Sequence, residues 1–152
     1  MTTFLLSLHV LAALIAVGPV TVAASMFPAT LRRAVRGPDD GDALATLRTL
    51  HRICRVYAGI GTAVPLFGLL TASSLGVLGE AWLIISILLT AVAAGMLALR
   101  ILPTQERALT DAAGTASPPA AGRLAMLTGV FNLLWATVTV LMIIRPGSTT
   151  GA

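Results

Sequence analysis

One histidine of this chain, His9, lies inside an apolar stretch, Phe4–Phe27, that contains no acidic or basic residue. An imidazole at membrane depth is costly unless it is paired, hydrated or ligated, so His9 is the foremost candidate for chemistry. At a rise of about 1.5 Å per helical residue it sits roughly 8 Å below the edge of the stretch. Helical spacing puts it on one face with Ala12, Ala13, Ala16 and Val20, a small-residue face suited to close helix packing. The chemistry open to it is ligation of a metal or of heme b, alone or paired with Met142. The second histidine, His51, falls at the opposite end of the apolar segments, about 20 Å or more away in depth by the same rise. The two cannot share one iron within a subunit. His51, flanked by Arg52 and Arg55, is instead placed to meet a phosphate or propionate, or to titrate among headgroups.

Other polar residues fall within the apolar segments. If the helices alternate in direction, Thr71, Ser86 and Thr139 come out at nearly the level of His9. Thr128, Asn132, Trp135 and Thr139 recur at helical spacing and define the expected inward face of the last apolar segment. A narrow polar seam would account for them. Ordinary interhelical hydrogen bonding, worth about 0.6 kcal/mol on average in membranes, would do so equally. The apolar segments hold no carboxylate, which removes the usual coupling group of an ion- or proton-driven carrier. No Ser-His-Asp set, glycine-rich phosphate loop or HExxH pattern is present, so the chain is not expected to be an enzyme. Cys54 is the sole cysteine and can form no internal disulfide.

The elements that must position these side chains are four apolar runs, at about 4–27, 56–78, 81–102 and 124–144. A run of about 20 apolar residues spans a hydrocarbon core of about 30 Å. With 57% hydrophobic and 11% charged residues and a mean hydropathy of +0.93, the composition is that of a chain solvated by lipid. The fold expected is all-α, a single integral membrane four-helix bundle joined by connections at 28–55 and 103–123. Val22-Ala23-Ala24-Ser25 has the look of a signal-peptide cleavage site. The long apolar run, the missing basic segment before it and the arginines after it argue for a retained helix. Asp39, Asp40 and Asp42 supply acidic first-turn residues to a helix expected to start near Asp42 and continue unbroken into the second span. Pro19 and Pro65 are expected to bend the first two spans, and Ala112–Gly122 reads as a linker.

All ten basic residues are arginines. Arg32, Arg33, Arg36, Arg48, Arg52 and Arg55 crowd the first connection, and Arg100, Arg107 and Arg123 flank the third. Only Arg145 lies on the other side. This asymmetry predicts cytoplasmic connections and an N-out/C-out topology, with the arginines against anionic lipid headgroups rather than nucleic acid.

The segment Leu8-His9-Val10-Leu11-Ala12-Ala13 followed by Gly18, with Leu50-His51-Arg52 opening the second span, resembles families of small four-helix bacterial membrane proteins of unassigned function. It is distantly similar to the copper-resistance D-like proteins and to the heme-containing membrane protoporphyrinogen oxidases. The resemblance implies a heme role for His9 and a bacterial inner-membrane location. Val17-Gly18 replaces the aromatic-Gly of those relatives, and the oxidase lysine has no counterpart in a lysine-free chain, so oxidase activity is not carried over. Three functions are thus expected to compete. They are an accessory or interaction protein in a homo-oligomer or larger membrane complex, a heme- or metal-binding redox protein centred on His9, and a small-molecule transporter acting as an oligomer.

Overall fold

The computed structural model describes residues 2–37, 41–112 and 118–147. Among them every regular element is helical: α1 (Thr2–Arg36), α2 (Gly41–Ile60), α3 (Ala63–Leu75), α4 (Ala81–Met96), a π-helical turn (Leu97–Ile101), α5 (Leu102–Ala112) and α6 (Pro118–Ile144). Four helical stretches are long and apolar enough to cross a membrane: Thr3–Arg36, Gly41–Leu75, Ala81–Asp111 and Ala120–Ile144. The chain is therefore an all-helical, multi-pass membrane protein.

The connections expected at 28–55 and 103–123 are largely helical extensions of the spans. α1 runs through Pro28 to Arg36 without interruption. Pro28 has no N–H for the Ala24 carbonyl four residues back, and the Thr128 hydroxyl of α6 reaches that carbonyl at 3.5 Å. α2 starts at Gly41, next to the expected Asp42, but the helix does not continue unbroken. At Gly61-Thr62 the ladder tightens: Thr62 N–H bonds Gly59 O at 3.2 Å, and Val64 N–H bonds the Gly61 carbonyl that Pro65 cannot serve. α4 passes into α5 through the π turn just before Pro103. A proline there cannot donate to Leu99, and widening the turn lets Leu102 N–H bond Leu97 O instead. Pro118–Gly122, expected to be linker, begins α6, while Asp39, Asp40 and residues 113–117 lie outside the described residues.

α3 ends at Gly76, whose φ of 68° is left-handed and favours glycine. The Gly76 and Val77 N–H groups close the last turn on Ser73 O and Ala72 O. A short turn then leads into α4.

α1 packs along α2, α3 and α6, and α6 packs along α4. The main core lies at the arginine-bearing end, where Phe27, Leu31, Leu47, Leu50, Ile101 and Leu124 are buried together. At the other end a smaller cluster joins Ala72 of α3 to Trp82 and Leu83 of α4, with Met142 of α6 against it. α3 and α4 meet there, near their connecting turn, and part further along.

Candidate functional site

His9 projects from α1 onto α3. Its Nδ1 lies 2.9 Å from the Val64 carbonyl oxygen. A carbonyl can only accept, so Nδ1 is the donor. The ring occupies space that only glycine leaves open: a Cβ on Gly68 would stand 2.9 Å from His9 Cε1 and 3.1 Å from Nδ1. Gly61 lies in the α2–α3 break itself, where an added Cβ would meet the Ala16 Cβ at 3.8 Å. The small-residue face containing His9, Ala16 and Val20 is thus the face that α1 turns to its neighbours.

The remaining polar residues of the spans sort into two kinds. Thr71, Ser86 and Thr139 donate to carbonyls one turn back in their own helices, at 2.7, 2.8 and 2.9 Å. Thr71 and Ser86 are buried and Thr139 is exposed. Thr128 and Asn132 instead reach across to α1. The Asn132 Nδ2 donates to Ser25 Oγ at 3.2 Å, one turn from the Thr128–Ala24 contact. Trp135 packs edge-on against Phe131, with ring centroids 6.3 Å apart and planes at 71°. Three buried side-chain atoms have no partner among the described residues: Trp135 Nε1, Asn132 Oδ1 and Trp82 Nε1. Met142, the proposed second ligand for His9, packs against the cluster of Ala72, Trp82 and Leu83. Arg145 closes that end, its guanidinium 5.7 Å from the Trp82 ring centroid.

A half-open crevice of about 160 Å³ lies where α3 and α4 part. α1 and α6 form its floor through Ala16, Val20, Phe131 and Trp135, and Pro65 and Thr90 stand on its two walls. Its lining is almost wholly apolar. Tyr57, near the α2–α3 break, also contributes.

At the arginine end, His51 and Cys54 of α2 share a partner on α5. Gln105, fully buried, accepts from His51 Nδ1 at 3.2 Å through Oε1 and donates to Cys54 Sγ at 3.7 Å. Arg32, Arg33, Arg36, Arg48, Arg52 and Arg55 are all exposed around this end. No cluster of three or more His, Cys, Asp or Glu side chains that could hold a metal occurs among the described residues.

Gly68, Gln105, Tyr57 and Thr90 are the site-forming residues that no motif points to. Gly68 carries a weak signal in hindsight of physics alone, since glycine inside an apolar helix often marks a close approach. No protein-family model, curated protein or solved structure matches this chain.

Proposed function

We propose that this is a non-enzymatic protein of the bacterial inner membrane, of accessory or interaction type. Four spans form an open bundle with both termini outward and the arginine-rich end in the cytoplasm. The observation that supports it best is the parting of α3 from α4, which leaves helix flanks and a crevice that α1 and α6 do not fill. Packing of those flanks is then completed by lipid, by a second copy or by a larger membrane complex. The small residues at Ala12/Ala16, Gly59/Ala63 and Ala91/Gly95 suit such close approach. Crosslinking in native membranes followed by purification in mild detergent should recover a homo-oligomer or a defined partner. Recovery of a lone monomer carrying a redox-active chromophore would overturn the proposal.

A heme- or metal-binding role for His9 has one observation in its favour. The bond from Nδ1 to Val64 O orients the ring and, in a neutral imidazole, leaves Nε2 as the ligand atom, as outer hydrogen bonds do for ligating histidines. The spectrum of purified protein, oxidised and dithionite-reduced, separates the two functions. A reducible Soret band lost in His9→Ala supports ligation. A featureless spectrum from cells supplied with heme leaves His9 as a helix-joining group.

A further inference from the structure

α3 is a short rod between two irregular joints. At its start the helix ladder breaks at Gly61-Thr62, where Pro65 offers no N–H and the Thr62 and Val64 N–H groups reach carbonyls only three residues back. At its end Gly76 takes a φ of 68°, and Gly79 follows in the turn to α4, where an added Cβ would meet nothing within 4 Å. Glycines in irregular backbone at the ends of an element are positions that absorb a change in its direction. The rod between them has 13 residues and is about 20 Å long.

Its packing is one-sided. α3 lies along α1 and meets α4 and α6 where Ala72 joins Trp82, Leu83 and Met142, while Leu66, Leu69 and Leu70 are exposed. Beside its first turn lies the crevice of about 160 Å³, with Pro65 on one wall and Thr90 of α4 on the other. The α1 surface at the joint is the small side chain of Ala16, which interlocks little with a helix moving across it. His9 supplies the specific hold: Nδ1 donates to the Val64 carbonyl at 2.9 Å, and the ring fills the slot at Gly68. Both contacts fall in the first two turns of α3, next to the break. Hydrogen bonds between membrane helices are weak, so this hold is one that thermal motion releases.

We propose that α3 is a lateral gate. It shifts across α1 on the joints at Gly61 and Gly76, His9 latches it in the parted position, and release lets its first half close on α4 over the crevice. Closure exchanges loose contacts for helix packing, which drives association within a bilayer. The gate needs no partner chain and no group bound to His9, so it stands apart from both functions considered above.

A disulfide between α3 and α4 reports closure, because it forms only when two Cβ atoms come within about 4.5 Å. Leu69 and Ile87 are exposed, and each lies one turn from a crevice wall, Pro65 or Thr90. In native membranes with a mild oxidant, Leu69→Cys with Ile87→Cys in a Cys54→Ala background is expected to crosslink. Adding His9→Ala should raise the rate about threefold, the population change set by one average interhelical hydrogen bond. Gly68→Ala, which displaces the ring without removing it, should raise the rate likewise. Pro65→Ala returns an N–H to the break and should slow crosslinking, and it should hold the rate down when combined with His9→Ala. Gln105→Ala disturbs the opposite end of the protein and should leave the rate unchanged. Equal helicity by circular dichroism qualifies each variant for the comparison. Absence of the crosslink from every variant would overturn the proposal. So would equal acceleration by Gln105→Ala and His9→Ala, which general loosening would explain. A His9→Ala effect that survives Pro65→Ala in full would remove the Gly61 joint, and the gate with it.

Discussion

A methyl group on Gly68 would have to share space with an imidazole that is hydrogen-bonded to the same helix, one turn earlier, at Val64. At 2.9 Å from Cε1 the contact is well inside the optimum of about 3.5–4.0 Å between carbon atoms. Gly68→Ala should therefore push the ring off Val64 O and destabilise the protein by roughly 1–3 kcal/mol, read as a lower thermal midpoint in detergent. His9→Ala should lose the hydrogen bond and the contact, a change of similar direction. Combined, the two substitutions should cost less than their sum, because the clash disappears with the ring. Strict additivity would show that the residues do not meet. That His9 needs a polar partner was legible in the sequence, because a histidine in an apolar run is costly wherever it points. Its partner was not legible, since the acceptor is a backbone carbonyl, which every residue carries.

The helices owe their irregularities to prolines, and each irregularity has a repair. Pro28 is bridged by Thr128 from α6, Pro65 by the tightened turn at Gly61-Thr62, and Pro103 by the π turn before it. The π turn also sets the rotation of α5, which places Gln105 between His51 and Cys54. Gln105→Ala should open a cavity at a fully buried position and strand the His51 donor. A loss of roughly 2–3 kcal/mol follows, and it should be seen most directly at Cys54. That thiol is fully buried, so maleimide should modify it slowly in the native protein and markedly faster in Gln105→Ala. Unchanged labelling would mean that α5 holds its place without Gln105. Acidic first-turn residues announced a helix start near Asp42, one residue from Gly41 where α2 begins, and amphipathic spacing announced the helix that follows. It said nothing of how α3 and α4 part: within a bilayer both the lipid-facing and the core-facing sides are apolar, so periodicity loses its contrast.

The two ends of the protein differ in both charge and packing. With 35 residues at about 1.5 Å each, α1 is about 52 Å long, and a hydrocarbon core takes up only about 30 Å of it. The surplus projects at the arginine end, together with the first half of α2, α5 and the start of α6, and these pieces bury the main core. Anionic headgroups and the positive-inside bias both favour this end on the cytoplasmic side. The opposite end has the short turn between α3 and α4 and the single Arg145 against Trp82. Two cysteine positions test the orientation in a Cys54→Ala background. Gly79→Cys lies in the α3–α4 turn, where an added Cβ meets nothing within 4 Å, and Glu106→Cys lies exposed on α5. A membrane-impermeant maleimide added to spheroplasts should modify Gly79→Cys and spare Glu106→Cys until the membrane is opened. The reverse pattern would invert the topology and set the arginine-rich core outside, where no anionic inner leaflet would hold it. Labelling of both sites in intact spheroplasts would mean that the arginine bias does not fix one orientation.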